Sequence, residues 1–238
     1  MTNFEKYSKE NIYFFSTDLP ELLTEIIRKK QPSSLVDIGC GDGDLFFSLI
    51  KEGLSKKIKK LIGVDLSPER LCRVKKYFPK VSTVLSNACD LTKLKNCKFD
   101  LVVSQQVIEH VKDDNQMLQE IKKTLHTDGY LFISSVIKKW YGWWIYKYNG
   151  KVRCDPTHIR EYNSKEEFVN LLKRNGFKIL KTKLRPFRPS IINGVVRYLV
   201  KKGMLSEDKA RQFIKKARLK IIVPGYYIVE VIAVLKNE

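Results

Sequence analysis

Apolar positions along this chain follow two rhythms that alternate. Short, nearly unbroken runs at 35–38, 61–64, 81–85, 99–104 and 130–136 read as buried strands. Between them come stripes at three- and four-residue spacing, such as Leu45, Phe46, Leu49 and Ile50, or Met117, Leu118, Ile121 and Leu125. The stretch 68–78 reads as a further helix with Ser67 as its cap. An earlier stripe, Leu22, Leu23, Ile26 and Ile27, predicts a helix as far as Lys30. Ser16, Thr17 and Asp18 are its N-cap candidates, Pro20 suits its first turn and Pro32 stops it. Asp113 or Asp114 caps the helix before the fifth strand, and Asp128-Gly129 predicts a turn into Tyr130. Strands alternating with helices predict an α/β chain with a doubly wound parallel sheet. A capped helix over 164–175, with Glu166 or Glu167 completing a capping box, precedes a sixth strand over 176–184, and 226–235 reads as the last.

The end of the first run carries chemistry. Gly39, Gly41 and Gly43 stand at alternate positions and let the backbone turn where side chains would obstruct it, with a helix expected from about Asp44. Strand, glycine turn and helix N-terminus together bring N–H groups to a nucleotide-like ligand, although a plain tight turn uses the same residues. The second run ends in Asp65, at the carboxyl edge of the neighbouring strand, where a carboxylate can accept from both hydroxyls of a ribose. A nicotinamide cofactor follows the same logic with a different spacing, two residues between its last two glycines.

Asp37-Ile38-Gly39-Cys40-Gly41-Asp42-Gly43 resembles the Asp/Glu-x-Gly-x-Gly-x-Gly motif of class I S-adenosylmethionine-dependent methyltransferases. Val64-Asp65-Leu66-Ser67-Pro68 resembles the ribose motif of that family, the stretch from Phe99 to Val111 its fourth strand and following loop, and Leu125 to Ile133 the approach to its fifth. Within the family, His158-Ile159-Arg160-Glu161-Tyr162 resembles segments of the type 11 and ubiquinone-biosynthesis-like methyltransferases. The resemblance implies a seven-stranded, mostly parallel Rossmann-like sheet with an antiparallel last strand. It also implies S-adenosylmethionine as methyl donor and S-adenosylhomocysteine as product. The backbone of the loop Asp37, Gly39, Cys40, Gly41 and Gly43 would hold the amino-acid part, and Cys40 would pack behind the loop. Asp65, with Leu66, would hold the ribose. Asn87 and Ala88 would meet the adenine, and Gln105 would border the donor from the fourth strand. Asn87 stands where the family commonly has Asp; its amide oxygen can accept but carries no charge, and Asp90 is the nearby alternative.

Gln105, Gln106, Glu109 and His110 emerge at the carboxyl edge of the fourth strand, facing the space where an acceptor must sit. Glu109 and His110 read equally as a loop anchor and a backbone-satisfied histidine. Gln106 occupies a position that is acidic in some quinone O-methyltransferases, which weakens a metal-assisted reading, and no metal is expected. The aromatic stretch 140–148 reads as a satellite core or as an acceptor pocket, with Tyr141 and Trp144 as contacts. His158 is the first choice as proton acceptor and His110 the second, while Arg160 and Tyr162 border the acceptor; a histidine beside Arg and Glu also serves as a loop anchor. The organisation expected is one domain over 1–238. It has an N-terminal lid and helix over 1–30, an acceptor-side segment over 138–163, and a basic helical insertion over 185–225 between the last two strands.

Composition then narrows the partners. Lys and Arg number 45 against 26 acids, a net charge of +19, which reads either as lysine decorating every solvated face or as a surface for an anionic partner. The excess is densest between Lys173 and Lys220, where only Glu207 and Asp208 are acidic, so an anionic membrane surface met through 185–220 is one expectation. Five scattered cysteines with no C-x-x-C pair fit reduced thiols. No apolar run reaches the ~18 residues of a membrane span, and the first residues lack a leader pattern, so a cytoplasmic protein, peripheral at a membrane if the basic patch docks there, is expected. Three functions follow: methyl transfer to a small acceptor such as a lipid, quinone or saccharide intermediate; methylation of RNA; or a membrane-docked cofactor-binding protein without turnover. RNA is the weaker, because no RNA-binding module and no Asn/Asp-Pro-Pro-Tyr/Phe signature is present. The oligomeric state stays open.

Overall fold

The computed structural model describes residues 19–144, 146–148, 151–155, 157–189, 195–196, 198–200, 202–206, 209–210 and 220–236. The first helix, α1 (Glu21–Lys30), starts at Pro20, which occupies the N-cap position without a side-chain bond, and Gln31 ends it at φ 47°. The expected caps Ser16, Thr17 and Asp18, and the aromatic lid ahead of them, lie outside the described residues. Leu22, Leu23 and Ile27 bury one face of α1 against the sheet.

The sheet begins as the alternating pattern requires. β1 (Ser34–Ile38), α2 (Asp44–Lys51), β2 (Lys60–Asp65), α3 (Pro68–Tyr77), β3 (Ser82–Leu85), β4 (Phe99–Gln105), α4 (Asp114–Thr124) and β5 (Leu125–Lys138) wind five parallel strands in the order β3-β2-β1-β4-β5. A hairpin of β6 (Tyr146–Tyr148) and β7 (Lys151–Arg153) and then α5 (Lys165–Arg174) follow. The last strands are β8 (Phe177–Pro186) and β9 (Tyr226–Leu235), and the complete order is β3-β2-β1-β4-β5-β9-β8. Within this sheet β9 alone runs against the other six strands, since it pairs antiparallel with both β5 and β8. The expected seven-stranded, mostly parallel α/β sheet with an antiparallel last strand is therefore present.

Successive residues of a strand point to opposite faces, and both faces are covered. Leu101 and Val103 of β4 face α1, α2 and α3 through Leu23, Phe46, Leu49 and Val74; Val102 between them faces α4 and α5 through Met117, Ile121, Phe168 and Leu172. Each such side chain gains roughly 1.5–3 kcal/mol from burial. Caps confirm the punctuation: Ser67, Asp113 and Ser164 each accept from the backbone N–H three residues on. Asp113, rather than Asp114, thus caps α4, and at α5 Glu167 reaches back past the cap Ser164 to accept from Asn163 N at 2.7 Å, a variant of the expected box.

One expected turn is absent. α4 passes directly into β5 at Leu125, and Asp128-Gly129 lies inside that strand, where the pairing with β4 jumps from Phe99↔Leu125 to Leu101↔Tyr130. A Cβ on Gly129 would lie 2.8 Å from Phe99 O, so the glycine allows close strand approach within a bulge rather than a reversal. At the start of β4, Asp100 Oδ2 accepts from Ser33 N, Ser33 Oγ and Ser34 N at 2.9, 2.8 and 3.0 Å, which fixes its register on β1. Of the insertion 185–225, helical turns are described at 195–196, 198–200 and 209–210, with Val196 and Ala210 buried together. Ile191 of its expected stripe lies outside the described residues. No helix among the described residues is long and apolar enough to cross a membrane.

The feature that places the site is the length of β5. Val136, Ile137 and Lys138 run past the end of β4, and residues around Tyr162 take the vacated edge: Tyr162 N donates to Val136 O at 3.3 Å and Lys138 N to Tyr162 O at 2.7 Å. The segment 153–162 is thereby held above the loop that leaves β4.

Candidate functional site

The glycine loop is built almost wholly from backbone. Gly39, Gly41 and Gly43 sit at φ 78°, 55° and 93°, a left-handed region that side chains resist. Gly39 has a second constraint, since a Cβ there would lie 2.3 Å from Val107 Cγ2. Gly41 differs: a Cβ would meet only Arg70 Nη1, at 3.9 Å, so this face of the loop is open. Asp65 lies beneath, accepting from Gly41 N at 2.8 Å through Oδ2 and from Ser67 N at 2.9 Å through Oδ1. Each of its oxygens keeps a second lone pair. Arg73 Nε meets the buried Asp42 Oδ1 at 2.6 Å and ties the loop to α3.

Buried acid lies behind the loop. Burial, then the charges of Asp65 and Asp44, push the Asp37 carboxyl well above the usual carboxylate range. Burial and the charge of Asp37 likewise push the Cys40 thiol up, and Cys40 packs towards Gly63 and Phe46. Leu66 is half-exposed beside Asp65. Asn87 is exposed after β3, its Oδ1 accepting from Cys89 N at 2.9 Å, with Ala88 partly buried and Asp90 bridged back to Asn87. Asp90 Oδ1 is taken up by Thr92. Gln105 ends β4 and Gln106 stands exposed at φ 53°, donating its N–H to Ser134 O.

The second half of the site is built from side chains. Glu109, fully buried, accepts from Ser135 Oγ at 2.9 Å through Oε2, while its Oε1 has no hydrogen-bond partner and lies 4.0 Å from His158 Nε2. Burial raises the Glu109 carboxyl to about 7, against the pull of His158. The rings of His110 and His158 meet edge to face at 4.6 Å. His110 Nδ1 lies 3.2 Å from Thr157 O and 3.0 Å from Thr157 Oγ1, and that hydroxyl donates to Asp155 Oδ1 at 2.5 Å. A carbonyl oxygen only accepts, so Nδ1 carries the proton and Nε2 is left with a lone pair. Burial, with the charge of His158, lowers His110 to about 4, so the imidazole is neutral at ordinary pH. The charge of Arg70 also contributes to that depression, and its Nη1 is the atom that a Cβ on Gly41 would meet.

The remaining acceptor-side residues fall in different places. Arg160 donates to Ile108 O, Val111 O and Lys112 O at 3.0, 2.6 and 2.7 Å, so its guanidinium clasps the loop after β4. Tyr162 is buried against Phe168, its hydroxyl donating to Asp114 Oδ2 at 3.2 Å. Tyr141 shares a hydrogen bond with Tyr227 at the surface, and Trp144 packs beside Val136, Cys154 and Tyr226. Trp140 and Trp143 are exposed at 95% and 65%, so this stretch is only in part a satellite core. Arg70, Ser135, Cys154, Asp155, Thr157 and Glu161 join the site without having been assigned a role in the sequence; only the Cys154-x-x-x-His158-x-x-Glu161 spacing signalled two of them.

Comparison with known proteins bears on this arrangement. A family model described as a methyltransferase domain matches residues 7–182. A ubiquinone biosynthesis O-methyltransferase of Bartonella quintana is 24% identical over 154 residues, covering 61% of this chain and 60% of that protein. A ubiquinone/menaquinone biosynthesis C-methyltransferase of Campylobacter jejuni is 27% identical over 172 residues, covering 63% of this chain and 73% of that protein. The chain spans 48% to 60% of the length of several curated relatives it matches. Among solved structures, an N1-methyltransferase of 1,6-didemethyltoxoflavin from Burkholderia thailandensis, bound to that compound and S-adenosylhomocysteine, aligns with TM-score 0.54 at 18% identity. The alignment covers 91% of this chain and 78% of the other, and is a likeness of fold. By their names the three proteins methylate oxygen, carbon and nitrogen.

Proposed function

This chain belongs to the methyltransferase-domain family, and we propose that it moves a methyl group from S-adenosylmethionine to a small-molecule acceptor, a lipid, quinone or saccharide-like intermediate. One observation carries the reading: the loop after β1 has an open face at Gly41 with Asp65 beneath it, and the loop after the neighbouring strand β4 bears a neutral histidine whose ring nitrogen is free to accept. The donor fits this cradle, because Gly41 leaves room for a ligand against the backbone and Asp65 keeps lone pairs for a ribose. The loop from Gly39 to Gly43 would hold its amino-acid part, Asp65 and Leu66 its ribose, Asn87 and Ala88 its adenine. When bound, S-adenosylmethionine supplies an electrophilic methyl group on a sulfonium.

The chain's own share of catalysis is alignment, exclusion of water and one proton. Holding two reacting atoms in line removes much of a displacement barrier, so few residues need touch them. His110 is the group placed to take a proton from an acceptor hydroxyl at Nε2. The Thr157 and Asp155 chain holds the opposite nitrogen protonated and fixes the ring. His158 meets it edge to face and helps to keep the ring in place.

Calorimetric titration with S-adenosylmethionine and S-adenosylhomocysteine tests the donor half. Wild type should bind both, and Asp65→Ala should weaken binding at least about 10-fold, as loss of a charge-assisted hydrogen bond does. No binding by wild type, or equal binding by Asp65→Ala, removes the reading. A methyl-labelled donor offered with extracted lipids, quinones, saccharides and RNA tests the acceptor half, and label entering RNA alone would overturn it.

A further inference from the structure

We propose that Cys154, His158 and Glu161 form a binding site for a divalent transition-metal cation of borderline softness, with Zn2+ the natural occupant. The site goes beyond methyl transfer and does not depend on it.

Geometry is the first argument. Cys154 Sγ lies 3.5 Å from His158 Nδ1, which lies 3.2 Å from Glu161 Oε1, and the three atoms fall within 4.8 Å of one another. Zinc bonds of about 2.3 Å to sulfur and about 2.0–2.1 Å to nitrogen or oxygen, set at tetrahedral angles, require edges of roughly 3.5 Å and 3.3 Å. Two of the three edges, sulfur to nitrogen and nitrogen to oxygen, already stand at those separations, and the third is within 4.8 Å. The side chains come from one short segment that is pinned at both levels: Ile159 N donates to Glu109 O at 3.0 Å, and Tyr162 pairs along β5.

Hydrogen bonding is the second argument. A thiol and a carboxylate both face the outward lobe of His158 Nδ1, and the thiol also lies within hydrogen-bonding reach of that carboxylate, so the three ligand atoms converge on one point. Glu161 Oε2 is buried, with the Tyr226 hydroxyl beside the carboxylate and Arg153 Nη1 3.9 Å away. A cation among the three atoms would replace these contacts with metal–ligand bonds. It also accounts for Glu109, whose partnerless Oε1 faces His158 Nε2, where a metal-bound histidine commonly presents its N–H to a carboxylate. Charge agrees, since Glu109, Asp155 and Glu161 converge here in a chain of net +19. Binding would displace the Cys154 thiol proton to solvent and form the metal–sulfur bond, and a water or an acceptor heteroatom would complete the tetrahedron.

Cobalt tests the proposal without any activity assay. The full chain, stripped with chelator and titrated with Co2+, should take up one equivalent and show a thiolate-to-cobalt absorption that Zn2+ abolishes by displacement. Cys154→Ser should lose that absorption, and Glu161→Gln should weaken Zn2+ binding at least about 10-fold. Cys72→Ser and Cys89→Ser should keep both. Absence of the absorption in wild type, or its survival in Cys154→Ser, would overturn the site. Should Cys154→Ser fail to fold, melting decides: Zn2+ should raise the Tm of wild type and leave that of Glu161→Gln nearly unmoved, and an equal rise in both would overturn it. Cobalt uptake by a chain that ignores S-adenosylmethionine would keep this site and discard the methyl-transfer reading.

Discussion

The two sides of the strand edge are made of different materials. Around Gly39–Gly43 the working groups are backbone N–H donors, shaped by left-handed glycines and backed by Asp65. Around His110 and His158 they are side chains drawn from the loop after β4, from β5 and from 153–161, and backbone only holds them. A backbone cradle recognises what a whole family shares, whereas a side-chain cluster can be rebuilt one residue at a time. The relatives' names, which specify oxygen, carbon and nitrogen acceptors, agree with that division.

The contrast can be broken first at His110, the proposed base. His110→Ala should lower methyl transfer to the acceptor found in the labelled-donor screen by about 10²–10⁴-fold, and calorimetry should find S-adenosylmethionine affinity within about 3-fold of wild type. Loss of both together would mean that the halves are not separate. Next come the glycines. Gly39→Ala should destabilise the chain by roughly 2–4 kcal/mol in urea unfolding, since it adds a left-handed penalty to the overlap with Val107. Gly41→Ala should cost only about 1–2 kcal/mol, because its surroundings are open, yet weaken donor binding at least about 10-fold. A Gly41→Ala protein that binds as well as wild type would end the backbone-cradle account.

Arg160→Lys gives a smaller effect on the side-chain half. It removes a fork that meets three carbonyls, and about 1–3 kcal/mol of stability should go with it, measured by thermal melting. The smallest effect sits far from both halves. Burial raises the pKa of Asp100, but hydrogen bonds from Ser33 and Ser34 outweigh it and hold the carboxyl below its usual range. A depressed carboxylate stabilises the fold above its unfolded pKa of about 3.9 and loses that contribution as pH falls through the folded value. Asp100→Asn should therefore cost about 1 kcal/mol at pH 7, after solvent screening, and the deficit should shrink below about pH 4.

How much of this was readable follows from the same contrast. The strands, the crossover helices and the glycine loop obey periods and backbone rules confined to a few neighbouring residues, so the sequence carries them openly. Asp128-Gly129 misled because a dipeptide suited to reversals also suits a bulge, and only the partner strand decides. The acceptor-side cluster has no period. Ser135 reaches Glu109 across 26 positions and Thr157 reaches His110 across 47, distances that only the overhang of β5 closes. Arg160 read as an acceptor contact because a cation beside a pocket attracts that assignment, while the carbonyls it serves are invisible in a linear text.

The overhang makes β5 a ruler. Ser134 pairs with Gln105 at the donor edge, and Val136 to Lys138 carry the cap, so two to four strand residues, roughly 7–13 Å, set the gap between the two halves. The gap is graduated in strand residues and does not depend on the loops. On the proposed function, remodelling the hairpin and cap over 139–161 would change what is admitted while the spacing from the glycine loop to the histidine pair stays constant, so a new substrate could be accommodated without recalibrating that distance.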